Sequence, residues 1–595
     1  MSDGVIPNYN NEKRNFEMRR YLYTVGAFMG AVWMASAQTT PTDTTISRDI
    51  EIVKEYNPVI KEAGKINTMP ELKTIDTKKI TPSYSVWTSS FNPRADVMPT
   101  LDYALAKEPE SNPYASDYFA KVGLGNYASF LGEVYAPLYK TDKWLVDIYA
   151  KHNSTMSDIT LSDDLYSGLA KDVDADAYSN DNRIRASLLR SYRKSELSAF
   201  STFRYQKYRY YGYDSYVGLA SQEGAGSYDG YMQNLHNFDL NVRYKTKDYV
   251  DKWKYDVQAN YQRFSNRNEV VENTIYTNFM GDYRMESSSL SAVFEMYNII
   301  MSLPSDSTYL YDFNNMENAA SHTVLKISPN YRFESNRGVF HIGVKGVFGI
   351  GQGRPGTIIP DIYGNIKIID DALYLYAGIT GDYQVNNYRY ITGLNPYVAP
   401  DVRVKDTYIP IDFYLGVKSN LYKKVNLDAF VGYKVLNNPY FFVNKSVDSL
   451  YHHTFDVVYD KDAGLFNAGV AVIYNWTDKL GLTLQTKYNA WALDKVEKAW
   501  QKPTFELDFK TSYQITEYLR TELSYEFAGG RYACVDGKAV SMDSVHDLSL
   551  GVNYSVLSFA NLFLNLNNIL AQDYQNYYGY TAQGFNLMAG LSLHF

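Results

Sequence analysis

Apolar side chains alternate with small or mostly polar ones along the last eleven residues of the chain, 585–595. The apolar positions are Phe585, Leu587, Ala589, Leu591, Leu593 and Phe595, and between them lie Asn586, Met588, Gly590, Ser592 and His594. Because successive side chains of a β-strand point to opposite faces, this period of two predicts a strand with one apolar and one mostly polar face. Such a strand suits a membrane-spanning β-barrel, in which lipid contacts every second residue and the lumen contacts the others.

The same alternation recurs upstream with the same polarity. Clear examples cover residues 480–489, 505–514, 520–527, 547–556 and 561–567. A water-soluble antiparallel β-protein has the same period, with its apolar row facing inward, so the period alone leaves that alternative open.

Composition helps to choose between these alternatives. Tyrosine occurs 58 times and aromatic residues make up 16% of the chain. Tyrosine is enriched in the aromatic girdles at the two membrane interfaces of a barrel. After residue 37 no stretch is apolar for the roughly 20 residues that a spanning helix needs, which excludes a helical membrane protein. The sequence therefore predicts an all-β transmembrane antiparallel barrel in the outer membrane.

The amino-terminal residues have the pattern of a secretory signal peptide. Arg19 and Arg20 precede an apolar run, and Ala35-Ser36-Ala37 forms a small-x-small cleavage site. Cys534 is the only cysteine, so no intramolecular disulfide is possible. A net charge of −8 with both signs interspersed provides no basic face, which argues against nucleic acid as a partner.

Residues 38–114 differ from the rest because they hold 8 of the 19 prolines. Proline removes a donor from the β-ladder, so this segment is predicted to be an extended periplasmic arm or a lumen segment. Ile50, Ile52 and Val53 form its best-patterned part, which could add a strand to the sheet edge of a partner protein. Packing of this strand on the barrel's own mouth is an equally good interpretation. The predicted divisions are thus 1–37, 38–114 and a barrel over 115–595.

Short turns and longer connections alternate along the predicted barrel. Tight polar turns lie at residues 140–143, 193–196, 246–253, 335–338, 370–371, 422–425, 477–479, 516–517 and 558–560. Longer loops are predicted between them, for example over residues 157–182 and 211–231. This asymmetry predicts turns on the periplasmic side and loops outside. The count is about 20 strands, or about 22 if residues 274–283 and 290–301 form an additional hairpin, and we predict a barrel of about 22 strands.

The end of the chain resembles TonB-dependent receptors. The resemblance is carried by residues 561–570, Asp573-Tyr574, Tyr578-Gly579-Tyr580 and Gly584, and the closing strand. Where those receptors have a Gly-Tyr-Pro-x-Pro-Gly-Arg loop, this chain has Thr581, Gln583 and Phe585 in place of the prolines and the arginine. The resemblance covers about 35 residues well.

Those receptors carry a folded plug of well over a hundred residues before the barrel, whereas residues 38–114 provide 77 positions. The patterns Val53-Lys-Glu-Tyr-Asn-Pro58 and Lys65-Ile-Asn-Thr-Met-Pro70 resemble a group of shorter, plugless relatives from Bacteroidetes. The resemblance thus implies a plugless barrel of the TonB-dependent-receptor type. Without a plug, active import of siderophores or cobalamin is not expected.

Two local motifs carry chemistry that could extend this interpretation. His152 and Ser154 share one face of a predicted strand and weakly resemble the His and Ser of outer-membrane lipases, but the sequence shows no third partner for them. The run Phe203–Tyr213 is aromatic and basic. It could bind sugars or lipopolysaccharide phosphates through Arg204, Lys207 and Arg209, although an aromatic girdle is the favoured interpretation.

The sequence therefore predicts a non-enzymatic accessory or structural envelope barrel, with a passive or gated porin for polar solutes as the alternative. No catalytic residue, metal or cofactor is expected. Residues predicted to line the lumen are Glu506, Asp508, Lys510, Arg520, Glu522 and Glu526. Expected partners are outer-membrane lipid and lipopolysaccharide, the barrel-assembly machinery and other envelope proteins.

Overall fold

A computed structural model describes residues 118–156, 158–161, 174–212, 232–304, 313, 321–351, 356–370, 372–421, 424–445, 454–477 and 479–595. The predicted signal peptide and arm, with Ile50, Ile52 and Val53, lie outside these residues. The divisions 1–37, 38–114 and 115–595 therefore remain predictions.

Twenty-two antiparallel strands form one sheet that closes on itself. They are β1 (Phe119–Gly125), β2 (Ser129–Lys140), β3 (Trp144–Thr155), β6 (Ser179–Ser191), β7 (Ser195–Arg209), β8 (Met232–Thr246), β9 (Trp253–Asn266), β10 (Val271–Arg284), β11 (Ser288–Ser302), β12 (His322–Ser335), β13 (Gly338–Ile350), β14 (Thr357–Ile369), β15 (Leu373–Gln384), β16 (Thr407–Leu421), β17 (Val425–Asn437), β20 (Asp462–Thr477), β21 (Leu480–Leu493), β22 (Phe505–Gln514), β23 (Leu519–Gly529), β26 (Val545–Leu557), β27 (Ala560–Asn567) and β30 (Asn586–His594). The extra hairpin anticipated from the sequence is β10–β11, which gives the higher of the two strand counts.

Shorter elements occur in the connections. They are β4 (Asp158–Thr160), β5 (Asp174–Asp176), α1 (Tyr388–Leu394), β18 (Tyr440–Asn444), β19 (Phe455–Tyr459), β24 (Arg531–Val535), β25 (Lys538–Met542), β28 (Gln575–Tyr577) and β29 (Tyr580–Thr581). The segment 157–182, predicted to be a loop, therefore contains β4, β5 and the first residues of β6. In the described part of the chain, no helix is long and apolar enough to cross a membrane.

The barrel closes where β1 pairs with β30, from Phe119 opposite His594 to Gly125 opposite Met588. Val122 is directly opposite Leu591, and both side chains are exposed on the outer face. Their neighbours Lys121 and Ser592 are also opposite each other and are buried on the inner face. The alternation read from the sequence therefore continues across the closing pair of strands.

Large apolar side chains cover the outer face of the barrel wall. On β13 and β14 the exposed residues are Phe340, Ile342, Val344, Phe348, Ile350, Ile358, Ile362, Ile366 and Ile368. Ile358 is 76% exposed, although it belongs to a well-formed strand. An apolar belt facing outward is costly in water and is the expected surface in lipid, so the soluble alternative is wrong. The protein is an outer-membrane β-barrel.

The two rims of the barrel differ in their connections. At one rim, which we name the turn end, neighbouring strands are joined by two to six residues, as in residues 336–337 between β12 and β13. The other rim, which we name the loop end, carries the longer connections together with two short ones, residues 126–128 and 267–270. Among the described residues it also carries all of the shorter elements, α1 included. Strand β1 begins and strand β30 ends at the turn end. Every tight turn predicted from the sequence lies at this rim.

Candidate functional site

A cluster of buried aromatic and aliphatic residues lies at the loop end, and we name it the cap. Its buried members are Ile159, Leu161, Ala175, Ala177, Tyr208, Tyr210, Tyr211, Leu235, Phe264, Val270, Phe313, Tyr388, Ile391, Val398, Ala399, Val402, Tyr440, Phe442, Phe455, Val457 and Tyr580. They come from the β3–β6, β7–β8, β9–β10, β11–β12, β15–β16, β17–β20 and β27–β30 connections and from the adjoining strand ends. These connections arise around most of the ring, so the cap joins loops from separate arcs of the barrel.

Tyrosine hydroxyls tie these loops together by donating to backbone carbonyls. Tyr208 donates to the carbonyl oxygen of Pro396 at 2.6 Å, and Tyr211 donates to that of Thr581 at 2.9 Å. The ring of Tyr580 stacks on that of Tyr397 with centroids 3.5 Å apart. Buried tyrosine needs a partner for its hydroxyl, and here that partner is the backbone of another loop. Each of these contacts therefore buries apolar surface and also fixes the position of a neighbouring loop.

The short helix α1 is fixed to the inner barrel wall by charged groups. Arg389 donates to both carboxylate oxygens of Asp239 at 2.9 and 2.7 Å and to the side-chain oxygen of Asn237 at 3.1 Å. The carboxylate of Glu272, which is 2% exposed, accepts from the backbone N–H of Tyr388 at 2.7 Å. A bidentate Arg–carboxylate pair is among the stronger polar contacts in proteins, so α1 is held in one orientation.

Two further loops are joined through Asp460, which is fully buried. Its carboxylate accepts from the backbone N–H groups of Asp494, Lys495 and Val496 at 3.0 to 3.1 Å. Removal of this carboxylate would leave three amides without that acceptor, so the β17–β20 and β21–β22 connections depend on one side chain.

Burial also sets the ionisation of the cap tyrosines. It raises the pKa of Tyr210 to about 12 and that of Tyr211 to about 12, because a phenolate would lose its water shell in this cluster. The pKa values of Tyr397, Tyr577 and Tyr580 are raised for the same reason. The tyrosines therefore stay neutral hydrogen-bond donors across the physiological pH range.

The six residues predicted to line the lumen lie together on β22 and β23. Asp508 is directly opposite Glu526, and the face they share is the reverse of the one that exposes Phe505 and Tyr513. Arg520 forms an ion pair with Glu522 at 3.1 Å. Glu506 accepts from Asn489 at 3.2 Å, and Lys510 and Glu522 border a cavity of about 220 Å³. The structure thus brings these groups together, and their role in conduction remains a prediction.

The aromatic and basic run Phe203–Tyr213 is divided between three environments. Phe203 is exposed on the outer face, whereas Tyr208, Tyr210 and Tyr211 belong to the cap. Arg204 donates to both carboxylate oxygens of Asp181 at 2.8 and 2.7 Å. The described part of the run is therefore neither a simple girdle nor an open phosphate-binding surface, because these three tyrosines and this guanidinium are engaged by other parts of the chain.

The cap could not be predicted from the sequence. The sequence shows that tyrosine is abundant, but the cap contacts join residues as distant as Tyr211 and Thr581, which are 370 positions apart. Among the residues that the structure describes, no group of three His, Cys, Asp or Glu side chains is placed to hold a metal ion.

Comparisons with solved structures identify the fold. The chain is similar to the siderophore receptor PirA of Acinetobacter baumannii, with a TM-score of 0.60, 11% identity and 80% of each chain covered. It is also similar to the ferric enterobactin receptor PfeA of Pseudomonas aeruginosa (TM-score 0.58, 12% identity, 81% of this chain and 80% of that chain). The ferric-catecholate import receptor Fiu of Escherichia coli K12 gives a TM-score of 0.56 at 11% identity, with 81% of this chain and 82% of that chain covered.

No family model matches the chain, and no curated protein matches it either. The similarity to solved structures therefore concerns the fold, which is that of the barrel of TonB-dependent siderophore receptors.

Proposed function

We propose that this protein is a receptor-like outer-membrane barrel without a folded plug that acts as an accessory or structural component of the envelope. In this proposal its loop end is closed by the cap, and residues 38–114 extend from the turn end as a docking arm. Insertion by the barrel-assembly machinery and contact with outer-membrane lipid and lipopolysaccharide belong to the same proposal.

The observation that carries the proposal is the contact between loops from separate arcs of the ring. Tyr211 reaches Thr581 from the β7–β8 connection, and Tyr577 donates to the carbonyl oxygen of Leu394 at 2.7 Å. A passive pore needs an open mouth, whereas these contacts draw loops together over it. The 77 residues from 38 to 114 are too few for the plug of the receptors that the chain resembles.

A gated pore for polar solutes is the second candidate. The charged face of β22 and β23, with Glu506, Asp508, Lys510, Arg520, Glu522 and Glu526, favours it because such residues suit a water-filled lumen. In that case the cap would be the gate.

Deletion of Thr44–Pro58 separates the two candidates. None of the described barrel strands uses these residues, so the variant should still insert and show heat-modifiable migration on gels. Envelope proteins that co-purify with the intact protein should be lost if Ile50, Ile52 and Val53 form a docking strand. A variant that keeps those proteins and gains ion conductance would instead identify the arm as an internal stopper and favour the pore.

A further inference from the structure

Three polar side chains form a hydrogen-bonded series on the outer face of β3 and β6. The Nε2 atom of His152 lies 3.0 Å from the Ser154 hydroxyl oxygen. The Nδ1 atom of the same ring lies 2.7 Å from the side-chain oxygen of Asn182. Asn182 is 30 positions away in sequence but directly opposite His152 in the sheet. The third partner that the sequence did not reveal is therefore supplied by the neighbouring strand.

The orientation of the surrounding amides favours one tautomer of the His152 ring. Asn182 donates its amide to the side-chain oxygen of Asn180, and Asn180 donates to the hydroxyl of Tyr178 at 3.3 Å. In this orientation the oxygen of Asn182 faces His152, and Nδ1 is the donor to it. In neutral imidazole the other nitrogen is then an acceptor, so Nε2 accepts the proton of the Ser154 hydroxyl. This is the arrangement of an activated nucleophile, its base and the group that orients the base.

These groups lie at the boundary of the apolar belt that is nearer the loop end. Outward-facing positions of β3 are apolar at Ile148 and Ala150 and become polar at His152 and Ser154. Ile184 on β6 is 53% exposed beside them. Ser154 lies ten positions after Trp144, which at about 3.3 Å per residue and a tilt of about 40° spans roughly 25 Å of membrane thickness. That distance matches the apolar band of an outer-membrane barrel, so the serine is at the depth where lipid acyl esters lie.

We propose that Ser154, His152 and Asn182 form a catalytic triad that hydrolyses acyl esters of membrane lipids. Ser154 Oγ bonds to the ester carbonyl carbon while its proton passes to His152 Nε2. The ester C–O bond then breaks, and the imidazolium gives its proton to the departing alkoxide, which leaves as an alcohol while the acyl group stays bonded to Ser154 Oγ. Water, deprotonated by the same nitrogen, next attacks the acyl-serine and releases a fatty acid and the free serine. Asn182 is a positioning residue that holds the ring. The sequence predicts no enzymatic activity, so this proposal goes beyond that expectation.

The Phe130 side chain controls access to the serine in this proposal. Ser154 is 3% exposed, and Phe130 lies directly opposite it on β2, with its ring centroid 5.4 Å from that of His152. Phe130 is itself 38% exposed at the lipid face, so movement of one outward ring uncovers the site. Replacement of Phe130 by Ala should therefore speed reaction of the serine.

The test uses a fluorophosphonate probe on the full-length protein folded in detergent micelles, with the adduct located by mass spectrometry. The probe should modify Ser154 in the unaltered protein. Ser154→Ala and His152→Ala should reduce labelling to background. Ser201→Ala and His236→Ala are matched controls that should label normally, because these residues lie on the same outer face without a serine–histidine pair. Heat-modifiable migration confirms that each variant is folded.

Asn182 provides a test of catalysis against a purely structural role. Asn182→Ala should slow labelling by roughly 10- to 100-fold, since the orienting group of a triad contributes strongly to rate. Asn182→Asp should restore much of the rate, because a carboxylate also accepts from Nδ1. A network that only stabilises the strand ends would show no such rescue of labelling.

Release of free fatty acid then identifies the ester. One arm uses vesicles of phosphatidylethanolamine and phosphatidylglycerol, and the other adds lipopolysaccharide, whose lipid A also carries acyl esters. Fatty-acid release in either arm supports the proposal if the Ser154→Ala substitution abolishes it. The arm in which release occurs identifies the lipid that carries the ester. The proposal would be overturned if neither the folded unaltered protein nor the folded Phe130→Ala variant formed a Ser154 adduct and if neither arm released fatty acid.

Discussion

Gly590 lies where the last strand meets the first, and its missing side chain sets how closely they approach. A Cβ atom at this position would lie 2.0 Å from the carbonyl oxygen of Val122 and 2.5 Å from a ring carbon of Phe563. The first of these atoms belongs to the backbone of the closing ladder and has little freedom to move. The seam of the barrel therefore depends on a residue without a side chain.

Gly590→Ala should accordingly destabilise the folded barrel by about 1 to 3 kcal/mol, the usual effect of overpacking. Gly481→Ala is the matched control, because its nearest atoms would be 3.5 Å and 3.6 Å from the new Cβ. The free energy of unfolding, measured by urea titration of protein inserted in vesicles, tests this difference. Equal stability of the two variants would mean that the ends of the sheet do not pair as described.

At the scale of elements, α1 shows how side-chain contacts fix a loop to the barrel wall. Arg389 is held by Asp239 on β8, and their side chains are 24% and 15% exposed. By contrast, Arg332 and Glu334 near the turn end form a pair whose side chains are 46% and 54% exposed. Water screens the second pair, whereas loss of Arg389 would leave a partly buried carboxylate without its bidentate partner.

Arg389→Met should therefore lower the free energy of local opening of the β15–β16 connection by about 1 to 3 kcal/mol. Trypsin cleavage after Arg403, an exposed residue in this connection, should become roughly 10- to 100-fold faster, since cleavage needs local opening. Arg332→Met should leave that rate unchanged. If both variants are cleaved at the original rate, the ion pair does not hold the helix.

Much of the barrel could be predicted from the sequence, because lipid imposes a local rule. Each strand must be apolar on one face, so the faces of β22, β23 and β30 were visible as alternation, and short polar turns located the turn end. The helix α1 was not visible, since the seven residues Tyr388–Leu394 show no helical period. The hairpins β4–β5, β18–β19 and β24–β25 were missed because loop packing, not lipid, determines their patterns.

Contacts between distant parts of the chain are beyond such local rules. The pairing of His152 with Asn182 depends on the register of β3 with β6, which sequence spacing does not provide when a long loop intervenes. The cap likewise depends on where seven connections converge. Both features that carry the functional proposals are therefore products of tertiary structure.

At the scale of the whole molecule, the protein is a wide barrel whose walls could form a water-filled lumen, and we propose that the cap closes its loop end. A 22-stranded barrel is large enough to need either water or a plug inside it. The polar inner face of β22 and β23 is compatible with water, whereas in our proposal the cap opposes free passage. The proposal therefore makes ion conduction depend on the cap and on the arm.

Single-channel conductance in planar bilayers tests this claim most directly. The unaltered protein should show no steady large current. A variant in which a short Gly-Ser turn replaces residues 388–404, combined with deletion of Thr44–Pro58, should conduct steadily, because the α1 contribution to the cap and the arm are then both removed. A steady large conductance of the unaltered protein would contradict the account and show that the loop end is open.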